Sequence, residues 1–398
     1  MIILFLFEIG WPLAPQNSTH PLGNNWGEFQ DYGGWPYMHP GIDVMGMDIG
    51  KPVYAVQRGF VKAWLTTSGE YHWRLAIADT NIANDSVEAW LYAHIDPNQY
   101  HKDIGDTVNA GDLIGYLVPW PVSGFDHCHF ARIKDIGAVW QYADWAFVQN
   151  PLVIITPYDD TAKPVFENAY GSYKFALCQN NTNTYLNPDN VTGAVDIIAK
   201  IYDKTGIPLP QYPVWERMIP LGISYEIHGP VNFPEKLSFL FKGYLYYTNN
   251  IGVVYKDDAI CDSRGDYEYR DYYFIVTNTD GDSLIEATDA AYSWNTNGLT
   301  PGNYWIIVKA WDAAGNEAKD SMMVTIPGPS VEEGEKKFFS NKIPSHLKDI
   351  GQFLKRINGR LYDINGRAVN NVCLLNSGVY FILYNNNGLC YKKVIIVK

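Results

Sequence analysis

From about residue 151 to 327 the chain alternates apolar with polar positions in short runs: GAVDIIAKIYD (193–203), KLSFLFKGYLYY (236–247), YYFIVTNTDGD (272–282) and NYWIIVKAWDAAGN (303–316). Successive side chains of a strand face opposite ways, so alternation of this kind predicts half-buried strands. Gly, Asn, Asp and Pro separate the runs and mark turns. The spacing predicts a β-sandwich of the immunoglobulin or fibronectin kind over 151–328, either one large sandwich or two packed subdomains. Within it NTDGDS (278–283) has the oxygen-rich look of a calcium loop. Its Gly281 is misplaced for an EF-hand and no acid closes the loop, so a tight hairpin turn is expected. PGPSVEEGEKK (327–337) carries Pro, Gly and mixed charge with no apolar period, which makes 329–352 a linker. LYDINGRAV, LNSGVYFILYNNNG and YKKVIIVK then give three or four strands with Asn-Gly turns over 353–398.

Residues 1–150 have a different texture, rich in Trp and Gly and holding most of the nine histidines. The chain as a whole is mainly β on this reading, and its length of 398 residues suits several domains. Of its residues 15% are aromatic, including 29 Tyr and 13 Trp, which strengthens the β assignment. The formal charge of −13 lies largely in the first 150 residues. That argues against a nucleic-acid partner, because phosphate binding needs clustered Lys and Arg, and it offers no basic membrane-binding face. The opening MIILFLF is too short to span a bilayer and has no preceding basic residue. It reads either as a clipped signal peptide or as a first strand. Cys128, Cys178, Cys261, Cys373 and Cys390 form no CxxC pair. Cys178 with Cys261, and Cys373 with Cys390, are pairs that an oxidising compartment would allow.

The candidate chemistry lies in the first region. WPYMHPGIDV places His39 and Asp43 four residues apart, with Pro40 and Gly41 between them to prevent a helix. In an extended chain residues 39, 41 and 43 share a face, and Gly41 leaves space between an imidazole and a carboxylate. Such a pair is half of a zinc site. FDHCHF supplies the other half: on a strand His127 and His129 point one way while Cys128 points into a packed face, which disfavours it as a thiolate ligand. His94 ends the alternating run AWLYAHID.

Taken in order, HPGIDV, GKPVYAVQRGFV, LYAHID, GDTVNAGDLIGYL and HCHF resemble the lysostaphin/LytM-type zinc endopeptidases, the twenty-third metallopeptidase family, and the upstream WGEF resembles the segment that opens that domain. The resemblance covers about residues 10–150. It implies an antiparallel β-sheet hydrolase that cuts peptide cross-links of bacterial walls. Carried over, His39, Asp43 and His129 would be the zinc ligands. His127 would be the general base, and His94 would orient water or steady the oxyanion. The sequence departs from the family pattern where HCHF runs into Ala131 and Arg132 in place of an acidic residue, and where Cys128 separates the histidines. Both departures bear on substrate preference.

The tail, with LYDINGR, LNSGVYFI and a terminal KKVIIVK, resembles the sorting domains of type IX secretion cargo. That resemblance implies a secreted or cell-surface protein and export machinery as a partner. Two other readings compete. One is a silent relative that binds wall without cutting it, although such proteins usually lack a ligand and none is missing here. The other is an adhesin in which the aromatic-rich sandwich does the work.

Overall fold

The computed structural model describes residues 9–328 and 360–396, apart from 33, 67–68, 82–86, 101, 135–147, 244–249, 364–367, 370–377 and 386–388. The chain forms two compact units, Met1–Pro327 and Gly328–Lys398. The fold is mainly β with antiparallel pairing throughout, as the alternation predicted. No helix among the described residues is long and apolar enough to cross a membrane. The opening MIILFLF and the linker 329–352 lie outside the described residues.

A seven-stranded sheet carries the first region. Its order is Val148–Gln149, His127–Lys134, Glu88–Ala93, Arg74–Ala78, Gly59–Leu65 and Thr107–Val108, with Ile42–Met45 also paired to His127–Lys134. A three-stranded sheet of Pro52–Tyr54, Leu113–Leu117 and Ile95–Asp96 accompanies it. The strand His127–Lys134 is buried along nearly its whole length, Cys128 completely so. Trp90 stacks on Phe130 at 4.9 Å. The Arg132 guanidinium lies over Trp90 and pairs with Asp79 and Glu88. The departure from the family pattern at Arg132 is thus occupied by a cluster on the neighbouring strands.

The second region holds two larger antiparallel sheets and a two-stranded pair, Arg264–Gly265 with Arg270–Asp271. One centres on Ala194–Tyr202, which pairs with Val165–Glu167, Phe175–Gln179, Tyr273–Ile275 and Trp294–Asn295. The other runs Phe233–Leu240, Gly222–His228, Gly302–Trp311, Glu317–Ile326. Ile197, Ala199 and Ile201 from the first and Ile223, Ile227, Ile306 and Val308 from the second belong to one apolar core. That same core continues into Leu13, Trp26, Val44 and Phe130 of the first region.

NTDGDS is not a hairpin turn. The strands on either side of it, Tyr273–Ile275 and Trp294–Asn295, pair with Ala194–Tyr202 and not with each other. Thr277 and the first two residues of the segment, Asn278 and Thr279, are fully buried. Thr277 accepts from the Ile197 amide, Asn278 Nδ2 donates to the Val253 carbonyl and the Thr279 hydroxyl donates to the Leu237 carbonyl. These bonds anchor the start of the segment in the interior, and Asp280 to Ser283 continue from it as an exposed loop. Cys178 and Cys261 fall in one buried cluster as free thiols.

The second unit is a three-stranded antiparallel sheet of Arg360–Asp363, Gly378–Asn385 and Leu389–Ile396. Cys373 and the side chain of Cys390 lie outside what the structure describes.

Candidate metal centre

Strand register brings the candidate ligands together. In the antiparallel pairing of Ile42–Met45 with His127–Lys134, Asp43 stands opposite His129 and Met45 opposite His127. On its other side His129 stands opposite Ala93, so His94 follows directly beside it. His94 has a positive φ of 61°, which tilts it off the end of its strand; non-glycine residues held this way are concentrated at functional sites. His39 precedes the strand. The chain bends at Gly41, so 39, 41 and 43 do not form the continuous extended run expected, yet His39 and Asp43 still converge.

The convergence is tight. His39 Nε2 lies 3.0 Å from His129 Nδ1 and 3.3 Å from Asp43 Oδ1. Asp43 Oδ1 is 3.0 Å from His129 Nδ1 and 3.5 Å from His127 Nε2. All four side chains are buried. A Cβ on Gly41 would lie 2.7 Å from His129 Nε2, so only glycine leaves that ring its place.

Backbone carbonyls set the tautomers. His39 Nδ1 meets the Asn25 carbonyl at 3.1 Å, His127 Nδ1 meets the Phe125 carbonyl at 2.6 Å, and His94 Nδ1 meets the Tyr71 carbonyl. A carbonyl oxygen only accepts, so each Nδ1 carries the proton and each Nε2 keeps its lone pair. Asn24 donates to Asp43 Oδ2, leaving Oδ1 toward the histidines. Burial alone would raise the Asp43 pKa. The facing His127 and His39, with hydrogen bonds from His129 and His39, outweigh it and hold the carboxylate well below its usual range. Burial pushes His127 down against the pull of Asp43, and lowers His94 well below its usual value, helped by His127 and His129. His129 is pushed down to about 4, again chiefly by burial.

Donors around a tetrahedral zinc with bonds of about 2.0–2.1 Å stand about 3.3 Å apart, so the three donors His39 Nε2, Asp43 Oδ1 and His129 Nδ1 fit such an ion. They are one nitrogen–oxygen–nitrogen set within 4.8 Å of one another. His127 is outside that set but beside it.

The group lies in a cleft of about 580 Å³. Tyr32, Arg74, Trp120 and Tyr267 also line it. Tyr267 comes from the second region, and its hydroxyl accepts a 2.7 Å hydrogen bond from Trp120 Nε1. Trp120 in turn packs edge-on to His127 at 4.8 Å. No local pattern singles out Tyr267 among 29 tyrosines, since it sits more than 130 residues beyond HCHF.

The chain matches no family model. Lysostaphin of Staphylococcus simulans is 32% identical to it over 117 residues, 28% of this chain and 22% of lysostaphin. Glycyl-glycine endopeptidase ALE-1 of Staphylococcus capitis is 28% identical over 129 residues, 31% of this chain and 33% of that protein. The chain therefore spans a third or less of the length of these relatives. Among solved structures, the catalytic domain of the antimicrobial peptidase lysostaphin from Staphylococcus simulans is 26% identical, covering 33% of this chain and 90% of that one at a TM-score of 0.26. A zinc containing peptidase from Vibrio cholerae is 21% identical, covering 34% and 41%, with a TM-score of 0.24.

Proposed function

We propose that this chain is a zinc-dependent endopeptidase of the lysostaphin/LytM type that hydrolyses peptide bonds of peptidoglycan. The observation that carries this reading is the meeting of His39 Nε2, Asp43 Oδ1 and His129 Nδ1 in a cleft, with the bare Nε2 of His127 beside them. The similarity to lysostaphin and to a glycyl-glycine endopeptidase supports the substrate class.

His39, Asp43 and His129 would hold the ion. Zinc in such a place polarises a scissile carbonyl and lowers the pKa of water. The chain's own contribution is geometric. His127, with Nδ1 committed to the Phe125 carbonyl, offers Nε2 to take a proton from the attacking water. His94, its ring 4.7 Å from that of His127 and its Nδ1 likewise committed to a carbonyl, presents a bare Nε2 that is placed to accept from the attacking water and orient it. Arg74 brings a cation to the cleft, while Trp120 and Tyr267 form an aromatic wall along which an extended peptide would lie.

The test compares zinc content and loss of turbidity of purified peptidoglycan for the wild type, His129→Ala and His127→Ala. The wild type should hold about one zinc per chain and clear the wall. His129→Ala should lose both. His127→Ala should keep the metal and lose about 10²–10⁴-fold in turnover. Loss of zinc from His127→Ala would overturn the division of roles, and a zinc-loaded wild type that cuts no wall would overturn the substrate.

We further propose that the protein is exported and that residues 353–398 are its sorting signal, on the resemblance of LYDINGR and the terminal KKVIIVK. Deleting 353–398 should leave wall hydrolysis unchanged in vitro and abolish surface display in a producing cell. Display that survives the deletion would refute the address.

A further inference from the structure

A second group of titratable side chains lies outside the cleft and differs from it in chemistry. Asp160, Asp203 and Asp312 bring carboxylate oxygens within 4.8 Å of one another, and all three are buried, at 6%, 2% and 2% exposure. They come from three separate segments: the stretch that leaves the first region, the residue just after the strand Ala194–Tyr202, and the residue just after Gly302–Trp311.

Two of the three are well provided for. Asp160 accepts from the Ala162 amide at 2.8 Å and from the Tyr158 hydroxyl at 3.2 Å. Asp312 accepts from the Asn316 amide at 2.8 Å and from its Nδ2 at 2.7 Å. That same Asn316 Nδ2 donates to the Asp160 carbonyl, which fixes two of the acids relative to each other. Asp203 is the exception. Its Oδ1 is buried and has no hydrogen-bond donor. Nor is there a compensating cation: among the described residues no Lys or Arg pairs with any of the three, and the neighbouring Lys204 turns to Glu216 instead.

Three desolvated carboxylates at this spacing repel strongly, and an orphaned buried oxygen costs further. Burial, and then the neighbouring acids, hold Asp203 well above the usual carboxylate range, and Asp160 is pushed up to about 6. Either protons or a cation must supply the missing positive charge. The surroundings favour a cation, because they supply rigid oxygen acceptors from three directions and one of them lacks a donor. The donor set is oxygen alone, which suits a hard ion and disfavours zinc or copper. Oxygens at about 2.4 Å from a common centre are at most about 4.8 Å apart, the scale of calcium coordination. Magnesium demands near-octahedral geometry at shorter distances, which three unrelated loop segments are less suited to give.

We propose that Asp160, Asp203 and Asp312 form a structural calcium site, distinct from the candidate zinc centre, that ties the exit of the first region to the two larger sheets of the second. Calcium binding here would draw together three segments that are otherwise held near one another only against their charge. The site does not depend on the function proposed above.

The experiment uses the full chain, zinc-loaded so that the histidine centre is filled. Melting temperature and terbium luminescence are recorded with calcium, with magnesium and with neither. Calcium should raise the melting temperature of the wild type by several degrees, since an ion bound only to the folded state stabilises it by mass action. Terbium should give sensitised emission that calcium displaces. The double variant Asp203→Asn with Asp312→Asn should keep a native near-ultraviolet circular dichroism spectrum and lose both responses. If that variant does not fold, Asp160→Asn, at the least buried of the three positions, should lose them in its place. No calcium-dependent rise in the wild type, a rise that persists in the folded variant, or an equal rise with magnesium would each overturn the proposal.

Discussion

At the scale of single residues, the candidate centre depends on small groups that hold large ones in place. Gly41 illustrates this. Any side chain there meets His129 Nε2 at 2.7 Å and the Phe130 carbonyl at 2.8 Å, so it must displace the imidazole or push neighbouring strands apart. Gly41→Ala should therefore fold, because the position lies at a bend beside the sheet, yet bind zinc about ten-fold more weakly than the wild type, the scale seen when a ligand loses its support. A competition titration against a chromogenic chelator checks this, and unchanged affinity would remove Gly41 from the account. The carbonyls of Asn25 and Phe125 act similarly, since each fixes which nitrogen of its histidine faces the site. A sequence shows such backbone partners no more than it shows the space beside a glycine.

At the scale of elements, neighbouring strands and the connections between them are joined by charge as well as by apolar packing. Glu167 on Val165–Glu167 stands opposite Lys200 on Ala194–Tyr202. It also takes a two-pronged hydrogen bond from Arg217, at 3.1 and 2.9 Å. Lys200 and Arg217 both reach Asp271, at 2.8 and 3.1 Å. Burial pulls the Glu167 pKa up, but the hydrogen bonds and charges of Arg217 and Lys200 outweigh it and leave it below the ordinary 4.5. An acid whose folded pKa is depressed stabilises the protein above its unfolded value and ceases to do so as pH falls through the folded one. Glu167→Gln should thus melt a few degrees below the wild type at pH 7, with the gap closing below about pH 4. A gap that stays constant with pH would show that the glutamate acts by packing alone. Strand alternation made Ala194–Tyr202 and Gly302–Trp311 legible from the sequence. The pairing of Glu167 with a residue in the next strand and another past the following loop was not, because register is a property of the assembled sheet.

At the scale of the whole first unit, the second region is the support on which the first is built. Gly265 lies so close to Phe29 that a Cβ would collide with its carbonyl oxygen. Asn25, whose carbonyl orients His39, donates to the Ile219 carbonyl at 3.0 Å. The wholly buried Arg270 donates to the Gly23 carbonyl and faces Glu28 at 3.6 Å, while Tyr272 donates to the same glutamate. Glu28 in turn accepts from the Asn25 amide at 2.8 Å. A continuous path of hydrogen bonds therefore leads from His39 to residues more than 200 positions away. Gly265→Ala should separate these surfaces, lower the melting temperature by several degrees and reduce turnover by shifting Tyr267, two residues on. Calorimetry with a kinetic assay of the folded variant checks it. A variant that melts and turns over like the wild type would mean that the two regions are merely adjacent.

The sequence alone determined the β class and the main strands of the second region, and it singled out His39, Asp43, His94, His127 and His129 as candidates. Local alternation dictates strands, and an HxxxD followed by HxH is a short-range pattern that survives without knowledge of the fold. Only the tertiary structure decided that His129 faces Asp43 across one register, that NTDGDS is anchored through Asn278 and Thr279 and closes no hairpin, that Tyr267 joins the cleft and that three aspartates from distant segments meet. These depend on contacts between residues far apart along the chain, which pairing and close packing create and which no local pattern encodes.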